Sequence, residues 1–141
     1  MRHRTTGFAL ATLLLALGAC ANTEIRSRQT LLDETLRSYA ATVRWGDIER
    51  AQAFIEPAQL AANPPGAIEL ARFRQVQVSG YDAQPAVAVS EGEVRQVVQI
   101  DLINVNTQAA RSVIDRQVWK FDEAAKRWWL VSGLPDISRK E

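Results

Sequence analysis

The sequence is nearly without cysteine and histidine: its 141 residues hold one of each, Cys20 and His3, both close to the start. A lone thiol rules out an internal disulfide. Beyond residue 20 neither residue type occurs, which excludes Cys–His and Ser–His–Asp catalysis there, along with the usual nitrogen and sulfur metal sites. Carboxylate binding of a hard cation stays formally open, yet no spaced Asp/Asn cluster of the calcium-loop kind is present. Neither a metal nor a cofactor is expected. An excess of charge is also lacking, since 17 Lys+Arg against 16 Asp+Glu give a net +1. That balance provides no long-range attraction for nucleic acid or anionic lipid, so nucleic acid is not an expected partner. No run reaches the roughly 20 apolar residues of a membrane-crossing helix. Internal repeats and low-complexity segments are missing too.

What is present begins with an export signal. Arg2 and Arg4 supply a positive start, Phe8 to Leu17 is uncharged and mostly apolar, and Leu17-Gly18-Ala19 sets small residues ahead of Cys20. An ordinary secretory signal also fits the charge and the apolar run, but leaves Cys20 as an unexplained thiol. The segment resembles the bacterial lipobox, in which the cysteine is diacylated and the peptide is cut before it. The resemblance implies a signal peptide over residues 1–19 and a membrane attachment through lipid on Cys20. Acyl chains contribute about 0.8 kcal/mol per buried CH₂, so two or more hold a protein stably at a bilayer. Ala21 stands where an aspartate would resemble the inner-membrane retention signal. In a host with two membranes the expected location is therefore the periplasmic face of the outer membrane. Cleavage would leave about 120 residues, enough for one domain with a core of its own. It would also remove His3, Arg2 and Arg4, leaving a slightly negative chain with no histidine.

Residues 20–28 read as the lipidated cysteine and a short polar tether, residues 29–135 as a single domain, and residues 136–141 as a polar tail expected to fray. From Gln29 to Arg44, Leu32, Leu36, Ala40 and Val43 recur at helical spacing. Gly46 breaks that helix. Asp47 is placed to cap a second one through Phe54 or Ile55, and Glu56-Pro57 ends it. A helical turn is expected over Ala58 to Ala62, before the break at Asn63-Pro64-Pro65-Gly66. The pattern then turns alternating. Strands are expected over Phe73 to Tyr81, with Gly80 as a bulge, then Ala86 to Val89, Val94 to Val105, Arg111 to Phe121 and Arg127 to Ser132. Helices followed by antiparallel strands predict an α+β domain: an N-terminal helical hairpin packed on a curved sheet of about four strands.

A hairpin holding Tyr39, Trp45, Gly46 and Asp47, then a meander ending in Trp119-Lys120-Phe121 and Trp128-Trp129-Leu130-Val131, resembles the nuclear-transport-factor-2-like superfamily; the same order fits a cystatin-like sheet. The first resemblance implies a cone-like roll. Its isomerase-like enzymes use an aspartate base with a tyrosine and a second acid lining the cone, and the residues here of those types are Asp101, Asp115, Tyr39 and Tyr81. Asp101 sits among Ile100, Leu102 and Ile103, and a carboxylate in an apolar pocket is held near neutrality. Alternation, however, groups Asp101 with Gln99 and opposes both to Val98, Ile100 and Leu102, so the solvent face is the preferred reading.

Trp45 is expected to close the helical hairpin over the core. Adjacent Trp128 and Trp129 must point to opposite faces, making one a core residue and the other either half-covered by cross-strand neighbours such as Lys120, the preferred reading, or a candidate partner contact. Arg72, Arg74, Gln75, Gln77, Arg95, Gln96, Gln99, Arg111, Arg116 and Gln117 fall largely at alternate positions and read as a wet outer face. The function expected from these features is a lipid-anchored, non-catalytic binding or scaffold domain in cell-envelope assembly or maintenance. Its partner would be an envelope protein or cell-wall component. The alternative is a small-molecule-binding or isomerase-like enzyme using the cone interior.

Overall fold

The computed structural model describes residues 7–45 and 47–138, with side chains from Glu24 onward. Arg2, His3, Arg4, Gly46 and the last three residues lie outside it, as does the side chain of Cys20. A long helix, α1 (Gly7–Trp45), is followed by a 3₁₀ helix (Ile48–Phe54), two short helices, α2 (Pro57–Ala62) and α3 (Ala67–Phe73), and five strands. The strands are β1 (Val76–Ala83), β2 (Val87–Ser90), β3 (Glu93–Asn104), β4 (Ala110–Asp122) and β5 (Arg127–Leu130). All pair antiparallel in the order β1-β3-β4-β5. β2 continues β1's edge of β3 after the Gln84–Ala86 interruption. The result is an α+β fold, a helix on a curled half-barrel sheet.

The helix packs because its apolar positions share one stripe. Leu32, Tyr39 and Val43 are buried, with Leu31 and Leu36 partly so. Residues 20–28, expected as a tether, are helical and continuous with α1. Ser27 there and Thr30 just beyond donate to the carbonyls of Glu24 and Arg26, bonding within the helix. Among the described residues no helix is long and apolar enough to cross a membrane. Asp47 caps the 3₁₀ helix in keeping with its position, its carboxylate accepting from the Glu49 N–H at 2.8 Å. Pro57 opens α2 at the position where a missing N–H costs nothing.

Three expectations are corrected. Phe73 does not begin a strand: it ends α3, buried, and β1 starts at Val76. Trp45 does not close the hairpin. It is 78% exposed with the Arg44 guanidinium 4.9 Å from its ring, while Ile48, Ala51 and Phe54 do the closing. The tail is not frayed at its start, since Ile137 is buried in the core.

Candidate functional site

The concave face of the sheet is set by alternation. On β3 it presents Val94, Val98, Ile100 and Leu102, and on β4 Val113, Asp115, Gln117 and Trp119. Two polar residues therefore sit in an otherwise apolar interior, Asp115 opposite Val98 and Gln117 opposite Gln96. Gln117 is thus not on the wet face, where its residue type suggests it belongs. Its shared phase with Trp119 is the signal that places it inside, where it is fully buried.

Gln117 uses every polar group it has. Its Nε2 donates to Asp115 Oδ2 at 2.8 Å and to Tyr81 Oη at 3.1 Å, and its Oε1 accepts from Trp119 Nε1 at 3.1 Å. This network joins two of the four candidate residues, Asp115 and Tyr81, and brings a third close. Tyr39, on α1, is fully buried and its hydroxyl has no partner among the described residues. Burial raises the Tyr39 hydroxyl well above its ordinary value, and the nearby Asp115 and Tyr81 charges push the same way. Burial also pushes Tyr81 up to about 12, against the hydrogen bond from Gln117. Asp115 is pushed up to about 6 by burial, with Gln117's hydrogen bond opposing. A carboxyl poised near neutrality beside two phenols is the pattern of an acid–base site.

Aromatic rings pack beside it. Tyr39, Phe54 and Trp119 meet edge to face in a triad, with centroids 5.1 to 6.5 Å apart. The described hollows lie elsewhere, one of about 450 Å³ by the end of α1. Removing the orphan hydroxyl is informative here. Tyr39→Phe is expected to keep the fold and to hold or raise stability by up to about 1 kcal/mol, because an unpaired buried polar group is costly. A loss above about 1 kcal/mol in thermal or urea melts would show that the hydroxyl has a partner after all.

The fourth candidate, Asp101, stands on the opposite, outer face. Ser112 Oγ and Gln99 Nε2 donate to its Oδ1 at 2.6 and 3.1 Å, and these bonds hold it below the usual carboxylate range. Its Oδ2 lies across the bulge in β1. A Cβ on Gly80 would come within 2.5 Å of it, which is why that position is glycine. Asp101 therefore takes no part in the interior network.

The tryptophan pair divides between faces. Trp128 is buried, its ring 5.3 Å from Phe121 and its Nε1 donating to the Arg28 carbonyl at 3.1 Å, so it is withdrawn as a partner contact. Trp129 is half-buried on the outer face opposite Lys120. The Arg127 guanidinium covers its ring at 3.8 Å, and its Nε1 donates to Asp122 Oδ2 at 3.3 Å. Among the described residues no cluster of three or more acidic, cysteine or histidine side chains could hold a metal. No family model matches the chain, and neither a curated protein nor a solved structure matches it.

Proposed function

We propose that the chain is a lipid-anchored envelope protein whose domain binds or scaffolds a partner without catalysis, in cell-envelope assembly or maintenance. One observation carries the reading: the cone interior, where a substrate would have to sit, is occupied by the Tyr39–Phe54–Trp119 triad and the saturated Gln117 network. Helix order and the curled sheet support a nuclear-transport-factor-2-like or cystatin-like domain, and the first of these groups includes catalytically silent scaffolds. The anchor rests on the small-residue run ending at Cys20, and the outer-membrane location on Ala21. Replacing Cys20 with Ala is expected to release the domain from membranes or leave the precursor uncut. A Cys20→Ala protein that matures and fractionates with membranes like the wild type would refute the anchor.

A second reading, an isomerase-like or small-molecule-binding interior, is favoured by the Asp115 carboxyl near pH 6 beside the orphan Tyr39 hydroxyl. It requires the aromatic triad to part. A ligand using that interior would raise the melting temperature of the wild type and lose this effect in Asp115→Asn.

A further inference from the structure

The apolar stripe of α1 runs past the end of the sheet. Leu32, Leu36, Tyr39 and Val43 pack into the core, and the same helical spacing continues back through Arg28 to Ile25. Arg28 marks the level at which the sheet stops. Its guanidinium pairs with Glu91, in the turn between β2 and β3, and with Glu123, in the turn between β4 and β5. It also lies 5.2 Å from the Phe121 ring, and its carbonyl accepts from Trp128 Nε1. Ile25, one turn further on the same side of the helix, has no sheet left to cover it and is 58% exposed. The nearby sheet edge is apolar as well. Val87 and Val89 on β2 are 62% and 52% exposed, and Val89 stands two residues before Glu91. Three of the six exposed large apolar side chains among the described residues thus gather at one end of the domain. Scattered singly, such residues need no explanation; gathered, they mark a contact.

We infer that this end of the domain, led by Ile25 and Val89, rests in the headgroup layer of the bilayer. The inference rests on the lipid-anchor reading above and specifies how the anchored domain is held. α1 passes through Cys20 without a break, so no flexible spacer separates the lipidated residue from the domain. Ile25 follows Cys20 by five residues, about 7.5 Å along the helix axis, and Arg28 by eight, about 12 Å. One headgroup layer is itself roughly 5–8 Å thick. With acyl chains in the hydrocarbon, Ile25 therefore stays within about one layer's thickness of Cys20 at any tilt of the helix. The two hairpin turns held by Arg28 lie just behind it. Interfacial segments bury their apolar side about 5–10 Å deep, the depth available here. A further strand is a poor occupant, because the β2 edge bulges at Val89, which has no partner on β3. Charge neither adds nor opposes. Arg26, Arg28 and Lys126 stand against Glu24, Glu91 and Glu123 at this end, with Arg28 and Lys126 paired to the glutamates of the turns. The contact is apolar and indifferent to the charge of the lipid.

The test uses the lipidated full-length protein in vesicles of neutral phosphatidylcholine. With the Cys20 thiol acylated, an introduced cysteine is the only free thiol and takes one fluorescent label. Ile25→Cys, Val89→Cys and Val105→Cys each carry the label in turn. Val105 is also exposed but lies at the other end of β3, about 40 Å along the strand from Glu93. All three side chains are exposed, so the variants keep the fold, which melting curves check. Nitroxide-bearing lipids are expected to quench labels at positions 25 and 89 about twofold or more, and to leave position 105 unchanged. Position 89 decides, since position 25 is close to the anchor in any arrangement. Quenching confined to position 25, or equal at all three positions, overturns the proposal. Labels at 25 and 89 that are shielded from an aqueous quencher yet untouched by nitroxide lipid would make the cover a protein, a second copy included, and overturn the lipid assignment. Quenching that appears only when phosphatidylglycerol replaces part of the lipid would make the contact electrostatic and overturn its apolar basis. Mass spectrometry separates the two readings. Protein without acyl chains on Cys20 refutes the anchor and this contact with it, whereas acylated protein with unquenched labels refutes the contact alone.

Discussion

Truncating Trp119 to alanine should cost the domain about 3–5 kcal/mol, the largest loss of any single substitution in the fold. The indole is fully buried on β4 and touches both α1 and the 3₁₀ helix, through Tyr39 and Phe54. Its removal leaves a cavity between sheet and helices, and it strands Gln117 Oε1, whose donor is Trp119 Nε1. An unsatisfied buried acceptor adds its own penalty to the lost packing. Since a domain of this size is held by roughly 5–15 kcal/mol, the variant should melt on the order of 10 °C lower or fail to fold.

The other tryptophans grade the same argument. Trp128→Ala should approach Trp119→Ala, because its ring and its bond to the Arg28 carbonyl tie β5 to α1. Trp129→Ala loses a half-buried ring with an arginine over it and should cost much less, in the range of about 1 kcal/mol for a partly exposed cation–π pair. Trp45→Ala should leave the melting curve nearly where it was, since its ring is 78% exposed. Thermal melts of the four variants settle the order. If Trp129→Ala proved as damaging as Trp119→Ala, the outer face of β5 would have to be covered, and the division of the Trp128–Trp129 pair would be mistaken.

That division is legible in the chain, because neighbouring strand residues point to opposite faces whatever their identity. Which of the two is inside is not, since it depends on the pairing that sets Trp128 opposite Phe121 and Trp129 opposite Lys120. The helix-then-meander order, the cap at Asp47 and the bulge at Gly80 are equally readable, each resting on a local rule. Gln117 is easily misplaced because glutamine usually marks a wet face; only a register that ties it to Trp119 overrides that habit. The same register decides between Asp101 and Asp115, which composition alone treats alike. Helix α3 is hidden because Gln75-Val76-Gln77-Val78 alternates just behind the apolar Phe73, drawing the strand back over the end of a helix of only seven residues. Trp45 shows the limit of size as a guide. A large aromatic at a helix end reads as a lid, yet smaller Ile48 and Ala51 take that role once Asp47 turns the chain.

Asp115 makes the stability of this protein fall as pH rises through the mildly acidic range. Burial holds its carboxyl at about 6 in the folded protein, against 3.8 for an ordinary aspartate. Between those values the folded chain keeps a proton that the unfolded chain has released. Stability therefore declines as pH rises from about 4 to about 6, and levels off once the folded carboxyl is ionised. The full difference is about 3 kcal/mol, which is a large share of a domain's margin. The outer-face aspartates act in another window. Asp101 and Asp122 are held below the ordinary value by hydrogen bonds, so what they contribute is lost only as pH falls below 3.8. Urea melts from about pH 4 to pH 7 should thus show a negative slope for the wild type. Asp115→Asn should flatten it, by removing the buried charge while an amide oxygen can still accept from Gln117 Nε2. The variant should be the more stable protein at pH 7 and nearly equal to the wild type at pH 4. A wild-type curve that rises between pH 4 and 6, or an Asp115→Asn curve with the wild-type slope, would mean that Asp115 is paired or solvated in a way the interior does not show.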